Sequence, residues 1–244
     1  MRTMVFASRN RKEILRDPLN LAFGIGFPVV LLVLLSAIQA NVPVELFEIR
    51  MLAPGIAVFG LSFISLFSGT LISKDRGSAY LTRLFTSPLS ATDFIVGYTL
   101  PLLPMAIVQI IVCFLVSALL GLALDFNVLV GFLVLLPTTA LFIAIGLLAG
   151  SLFNDKQVGA ICGALLTNLS AWLSGTWFDL NLVGGAFKTV AYLLPFVHAV
   201  DASKAAMAGN YSEIFPHLLW VTGYAIVTML FAISVFHNKM KGEL

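Results

Sequence analysis

The sequence predicts an all-α integral membrane protein with six transmembrane helices and both termini in the cytoplasm. Three observations carry that prediction. Of 244 residues, 59% are hydrophobic and only 11% are charged, whereas a soluble domain carries about 25% charged residues. Six apolar runs, at about 19–39, 53–72, 94–120, 128–153, 157–174 and 218–236, match the roughly 20 residues a helix needs to cross the hydrocarbon core. With six spans, eleven Lys and Arg fall in the inner segments and three (Arg50, Lys188 and Lys204) in the outer ones, a positive-inside bias. The chain therefore divides into a segment 1–18, a six-helix membrane domain 19–236 and a short tail 237–244.

Each element has a local cause. Arg2, Arg9, Arg11, Lys12 and Arg16 precede the first run, as in a secretory signal. The run is longer than the usual h-region of about 7–15 residues, however, so it is expected to stay as a helix. Asp17-Pro18 supplies an N-cap followed by Pro at the first helical position. Ser90-Ala91-Thr92-Asp93 has capping-box spacing ahead of the third run. Pro101, Pro104 and Pro137 lie inside spans, where lipid-buried helices tolerate them as kinks. Between 175 and 217, Ala186–Leu194 is apolar apart from Lys188 and Thr189, but Pro195 follows too soon for a full span. A seventh span would also carry Lys239 and Lys241 outside, so an outer re-entrant or interfacial hairpin is expected. Trp177 and Tyr192 are expected at the outer interface.

Composition also excludes functions. A net charge of +2, with cations mainly in loops, gives nucleic-acid binding little support. Cys113 and Cys162 sit in apolar runs and read as packing residues rather than a disulfide or metal site. No His or carboxylate pair has metal-ligand spacing on a membrane helix. No Asp, Glu, Lys or Arg falls within the six runs as drawn, which argues against proton or cation coupling. The sequence lacks a G-x-x-x-x-G-K-[ST] loop for ATP. A transporter with neither engine is a passive pore or borrows a motor. An intramembrane hydrolase built on Ser174 and His198 is the enzyme alternative, though Ser174-Gly175 also reads simply as a helix end.

The loop 73–93 holds the most informative pattern. Leu81, Leu84 and Phe85 stand at i, i+3 and i+4, giving a short helix with one apolar face that ends before Pro88. Such a face rests on lipid or docks in a partner's groove. Asp75-Arg76-x-x-Ala79, followed by Leu81-x-Arg83-Leu84-Phe85-x-Ser87-Pro88, resembles the loop between helices 2 and 3 of type-2 ABC exporter permeases. That family's pattern is Glu-Arg-x-x-Gly, then Leu-x-Arg-Leu-Leu-x-Ser/Thr-Pro; Asp75 and Ala79 are the departures. Arg16-Asp17-Pro18-Leu19 is similar to the family's approach to helix 1, which follows an amphipathic N-terminal helix. Leu173-Ser174-Gly175-x-x-Phe178 and Leu194-Pro195-x-x-His198-Ala199 are similar to its outer re-entrant region, marked by Gly175, Pro195 and His198.

The resemblance implies a half-transporter in the plasma membrane of a bacterial cell. Two six-helix permease subunits, identical or paralogous, would sit on cytoplasmic ATP-binding cassette subunits. This chain would bind no cofactor, with ATP and Mg held by the partner. By resemblance, Asp75 and Arg76 make polar contacts around a coupling helix, with Arg83 and Pro88 in the same segment and Leu84 and Phe85 as its apolar knob. Asp155 and Lys156 would form a second contact. The central path would take Phe63 and Phe67 from helix 2 and Thr167, Asn168 and Trp172 from helix 5. Asn168 has a competing reading as an interhelical hydrogen-bond donor, and Phe63 and Phe67 as an i, i+4 packing pair. Gly146-x-x-x-Gly150 and Gly159-x-x-x-Gly163 permit close helix approach within or between subunits. An ATPase-independent pore or scaffold is the alternative, and the cargo is not written in the sequence.

Overall fold

A computed structural model describes residues 2–42, 45–78, 80–85 and 89–243, and every regular element among them is helical. Helix α1 (Arg2–Leu15) is followed by α2 (Pro18–Asn41), α3 (Ile49–Gly77), the short α4 (Tyr80–Phe85), α5 (Ala91–Leu119) and α6 (Phe126–Leu152). Helix α7 covers 155–172, with a π-helical stretch at Gly159–Leu166. Then come α8 (Leu180–Val183), α9 (Gly185–Leu193), α10 (Pro195–Ala208) and α11 (Tyr211–Glu243).

The two predicted caps, at Asp17 and Ser90, form, and the structure adds another at Asn154. Asp17 accepts the Asn20 amide, Ser90 and Asp93 close a complete capping box, and Asn154 with Gln157 forms a second box. Each satisfies N–H groups that a helix start leaves without an intrahelical partner.

Among the described residues, five helices, α2, α3, α5, α6 and α11, are long and apolar enough to cross a membrane. The predicted fifth run, 157–174, is a helix over 155–172, but Asp155, Lys156 and Gln157 at its start and Asn168 within it keep it outside that group. The helices outrun their apolar cores. The second run, drawn as 53–72, extends to Ile49–Gly77, and α11 continues through 237–243, where a tail was expected.

Helix α3 is the axis of the bundle: 89% of its most apolar 18-residue stretch is buried, against 22% in α2 and 17% in α11. Around it pack α2, α5, α6, α7 and α10, while α11 lies on α6 and α10. Small residues allow the closest approach. A Cβ added at Gly146 of α6 would stand 1.8 Å from Ser68 Oγ and 2.1 Å from Ser65 O of α3, and one at Gly150 2.4 Å from Gly69 O. Gly146-x-x-x-Gly150 therefore packs inside the chain. Gly159 meets nothing within 4 Å, and Gly163 meets only Leu66. The predicted hairpin is helical: α9 and α10 meet at Leu194, where Pro195 starts the second helix.

Candidate functional site

The end of α3 that carries Asp75 and Arg76 joins four other elements. Successive residues on an α-helix point about 100° apart, so the two side chains face different neighbours. Asp75, 2% exposed, accepts both guanidinium arms of Arg9 from α1, at 2.6 and 2.7 Å. Tyr98 of α5 donates its hydroxyl to the same carboxylate at 2.8 Å. Arg9 also pairs with Glu13 at 2.5 Å and stacks over the Tyr80 ring of α4 at 4.5 Å. Burial of Glu13 raises its carboxyl above the ordinary range, against the pull of Arg9.

Arg76 turns the other way. Its Nη1 donates to Gly150 O at 2.8 Å and Ser151 O at 2.7 Å, carbonyls that the end of α6 leaves open. The two charges predicted to sit around the coupling helix are thus each bound to a different helix: Asp75 to α1 and α5, Arg76 to α6.

Helix α1 is seated on α5 by Phe6, edge-on to Phe94 and Tyr98. Asn10, fully buried, donates to Gly97 O at 3.1 Å. That carbonyl is free because Pro101 has no N–H to return to it.

In α4, Leu81 is fully buried and Leu84 is half-buried against the main core. The side chains of Arg83 and Phe85, and Pro88 altogether, lie outside the described residues. Ser73 of α3 donates to Asp155 of α7 at 3.4 Å, and Lys156 is exposed beside it.

The residues predicted for a central path divide. Phe63 and Phe67 are 8% and 3% exposed. Phe63 lies in a ring cluster with Phe23, Phe27 and Phe59, which Trp177 extends. Thr167 is also buried, bonded to Ser62 of α3 at 3.2 Å and to Cys162 O. Asn168 and Trp172 are exposed, and the Asn168 amide donates within its own helix to Ala164 O rather than across to another helix.

His198 of α10 and His217 of α11 approach Nδ1 to Nδ1 at 2.7 Å, and His198 Nε2 lies 2.9 Å from Tyr192 O. A neutral pair satisfies this geometry: His198 Nε2–H donates to the carbonyl while its Nδ1 accepts from His217. Ser174 bonds to Ala171 O and Thr176, so its hydrogen bonds and those of His198 lead to different partners. Arg9, Asn10 and Tyr98 are the site residues that sequence reasoning missed.

Comparison with known proteins decides the family. Residues 1–208 match the family described as ABC-2 type transporter. The chain belongs to that family. It is similar to two proteins named transport permease ycf38. The one from Pyropia yezoensis is 25% identical over 238 residues, covering 91% of this chain and 81% of that protein. The one from Porphyra purpurea is 27% identical over 221 residues, covering 85% and 75%. ABC transporter G family member 20 of Dictyostelium discoideum is 26% identical over 202 residues, which cover 79% of this chain and 27% of that longer protein. The permease is a multi-pass membrane protein, and the residues 75–76 junction lies inside the matched region.

Proposed function

We propose that this permease is the membrane subunit of an ATP-driven exporter. It works as a dimer in the plasma membrane and is driven by a separate cytoplasmic ATPase that holds ATP and Mg. In this reading α7 serves as a sixth, short span and both termini lie inside. The Lys and Arg asymmetry supports that orientation, and Asp155 and Lys156 then face the same compartment as α4.

The observation that carries the proposal is the junction at Asp75 and Arg76. A load applied to α4 reaches α3 directly, α1 and α5 through Arg9 and Tyr98, and α6 through Arg76. A loop that only rested on lipid would have no use for a buried carboxylate and a neighbouring guanidinium tied to three helices. Asn168 and Trp172 fit a surface toward the second subunit, since an exposed amide at membrane depth gains from a polar partner.

The test is purification of the tagged chain in gentle detergent, with ATPase activity assayed in the eluate. The reading predicts a stoichiometric ATPase subunit, lost when Leu84 and Phe85 are both replaced by Asp. A chain that purifies without any nucleotide-hydrolysing partner in several detergents would instead support a pore or scaffold.

A further inference from the structure

Between α1, α2 and α5 lies a crevice of about 600 Å³, within the usual size of a small-molecule site. Ala7 and Ile14 of α1, Leu21 and Ile25 of α2, and Pro101 and Met105 of α5 line it. It exists because α1 packs closely on α5 but only lightly on α2, which leaves space between them. An apolar lining offers water no partners, and in a membrane-spanning chain the neighbouring solvent is lipid.

Its polar rim is selective. Ser8 and Arg11 stand at the crevice on α1. Arg9 on the same helix is committed to Asp75 and Glu13. Arg11 is exposed and has no hydrogen bond or ion pair among the described residues. Lys12 faces a different hollow, lined with Val5, Glu13 and Arg16. One unpaired guanidinium beside an apolar crevice is complementary to a phosphate ester carrying a hydrocarbon tail.

We propose that this crevice is a binding site for one anionic phospholipid, with an acyl chain between α2 and α5 and its phosphate on Arg11. The lipid would fill the gap between α1 and α2 and so complete the packing of the amphipathic helix. The site is separate from the junction at Asp75, and its occupancy requires no ATPase.

The test is native mass spectrometry of the full chain titrated with palmitoyl-oleoyl phosphatidylglycerol or with the phosphatidylcholine of the same chains. The expected result is one phosphatidylglycerol held about tenfold more tightly than phosphatidylcholine. Arg11→Gln should weaken it about tenfold, because a charge-assisted bond to phosphate is lost. Lys12→Gln, the same change of charge on another face of α1, should leave it within a factor of two or so. Ser8→Trp, which fills the slot, should remove both lipids. Equal losses in Arg11→Gln and Lys12→Gln would reduce the effect to surface electrostatics and overturn the proposal. Equal affinity for the two lipids would overturn it as well. If Ser8→Trp does not fold, the comparison of the two charge variants still decides.

Discussion

Replacing Arg9 by Met should destabilise the permease more than replacing Asp75 by Asn, although both break the same ion pair. The reason is the unequal burial of the partners: the Asp75 side chain is 3% exposed and that of Arg9 is 34%. Without Arg9, the buried carboxylate keeps, among the described residues, the Tyr98 hydroxyl alone, and an uncompensated buried charge costs about 3–5 kcal/mol. Without the Asp75 charge, Arg9 still reaches solvent, Glu13 and Asn10, so the cost should be about half as large. At about 2–4 °C per kcal/mol for a chain of this size, Arg9→Met should lower Tm by on the order of 10 °C and Asp75→Asn by on the order of 5 °C. The double variant Arg9→Met with Asp75→Leu should recover most of the loss, because an apolar pair in place of a buried ion pair is often neutral. Thermal unfolding in detergent reads the three values, and tryptic cleavage after Lys12 or Arg16 reports whether α1 has undocked. A double variant whose loss equals the sum of two large single losses would refute the reasoning.

Three further outcomes follow from the same geometry. Gly146→Ala should sharply reduce folded yield, because its Cβ would meet Ser65 O and Ser68 Oγ, whereas Gly159→Ala, with open space around it, should leave yield unchanged. Arg76→Met uncovers the Gly150 and Ser151 carbonyls and should cost about 2 kcal/mol by Tm, with hydrogen exchange rising first at the end of α6. Burial holds His198 below its ordinary pKa of 6.5 and the nearby His217 adds to the effect, so its contribution to stability is complete above pH 6.5 and is lost as pH falls below that value. Asp201, whose carboxyl is raised by burial, pulls in the opposite direction. The readout is therefore the difference in Tm between wild type and His198→Gln, which should narrow between pH 7 and pH 5.

Patterns that act over a few residues were legible in the sequence. The Asp17-Pro18 start, the Ser90–Asp93 box and the break at Pro195 all act locally, and the structure realises each one. Helix ends were less legible, for a physical reason. Hydropathy stops α3 at the first charges, yet the helix continues because α1 and α5 bind Asp75, and the carbonyls of α6 bind Arg76, where they stand. The pairing of Arg9 with Asp75 joins residues 66 positions apart, and nothing local distinguishes Arg9 from the other cations before α2. Tyr98 is hidden in the same way, as one aromatic residue among apolar neighbours. Phe63 and Phe67 illustrate the opposite difficulty: an i, i+4 aromatic pair has the same spacing whether it faces a channel or a core.

Asp75 and Arg76 are read in sequence as one dipeptide, but in space they are two fasteners on different faces of one shaft. Exchanging them would conserve charge, composition and helix propensity, while presenting a cation to Arg9 and an anion to the carbonyl end of α6. The order of the two letters therefore carries information that their chemistry alone does not. A tolerated substitution at one position says nothing about tolerance at the other, since each is judged by a different neighbour. A change of Asp75 to Glu would lengthen the reach toward α1 and α5 together and leave the clasp on α6 as it was.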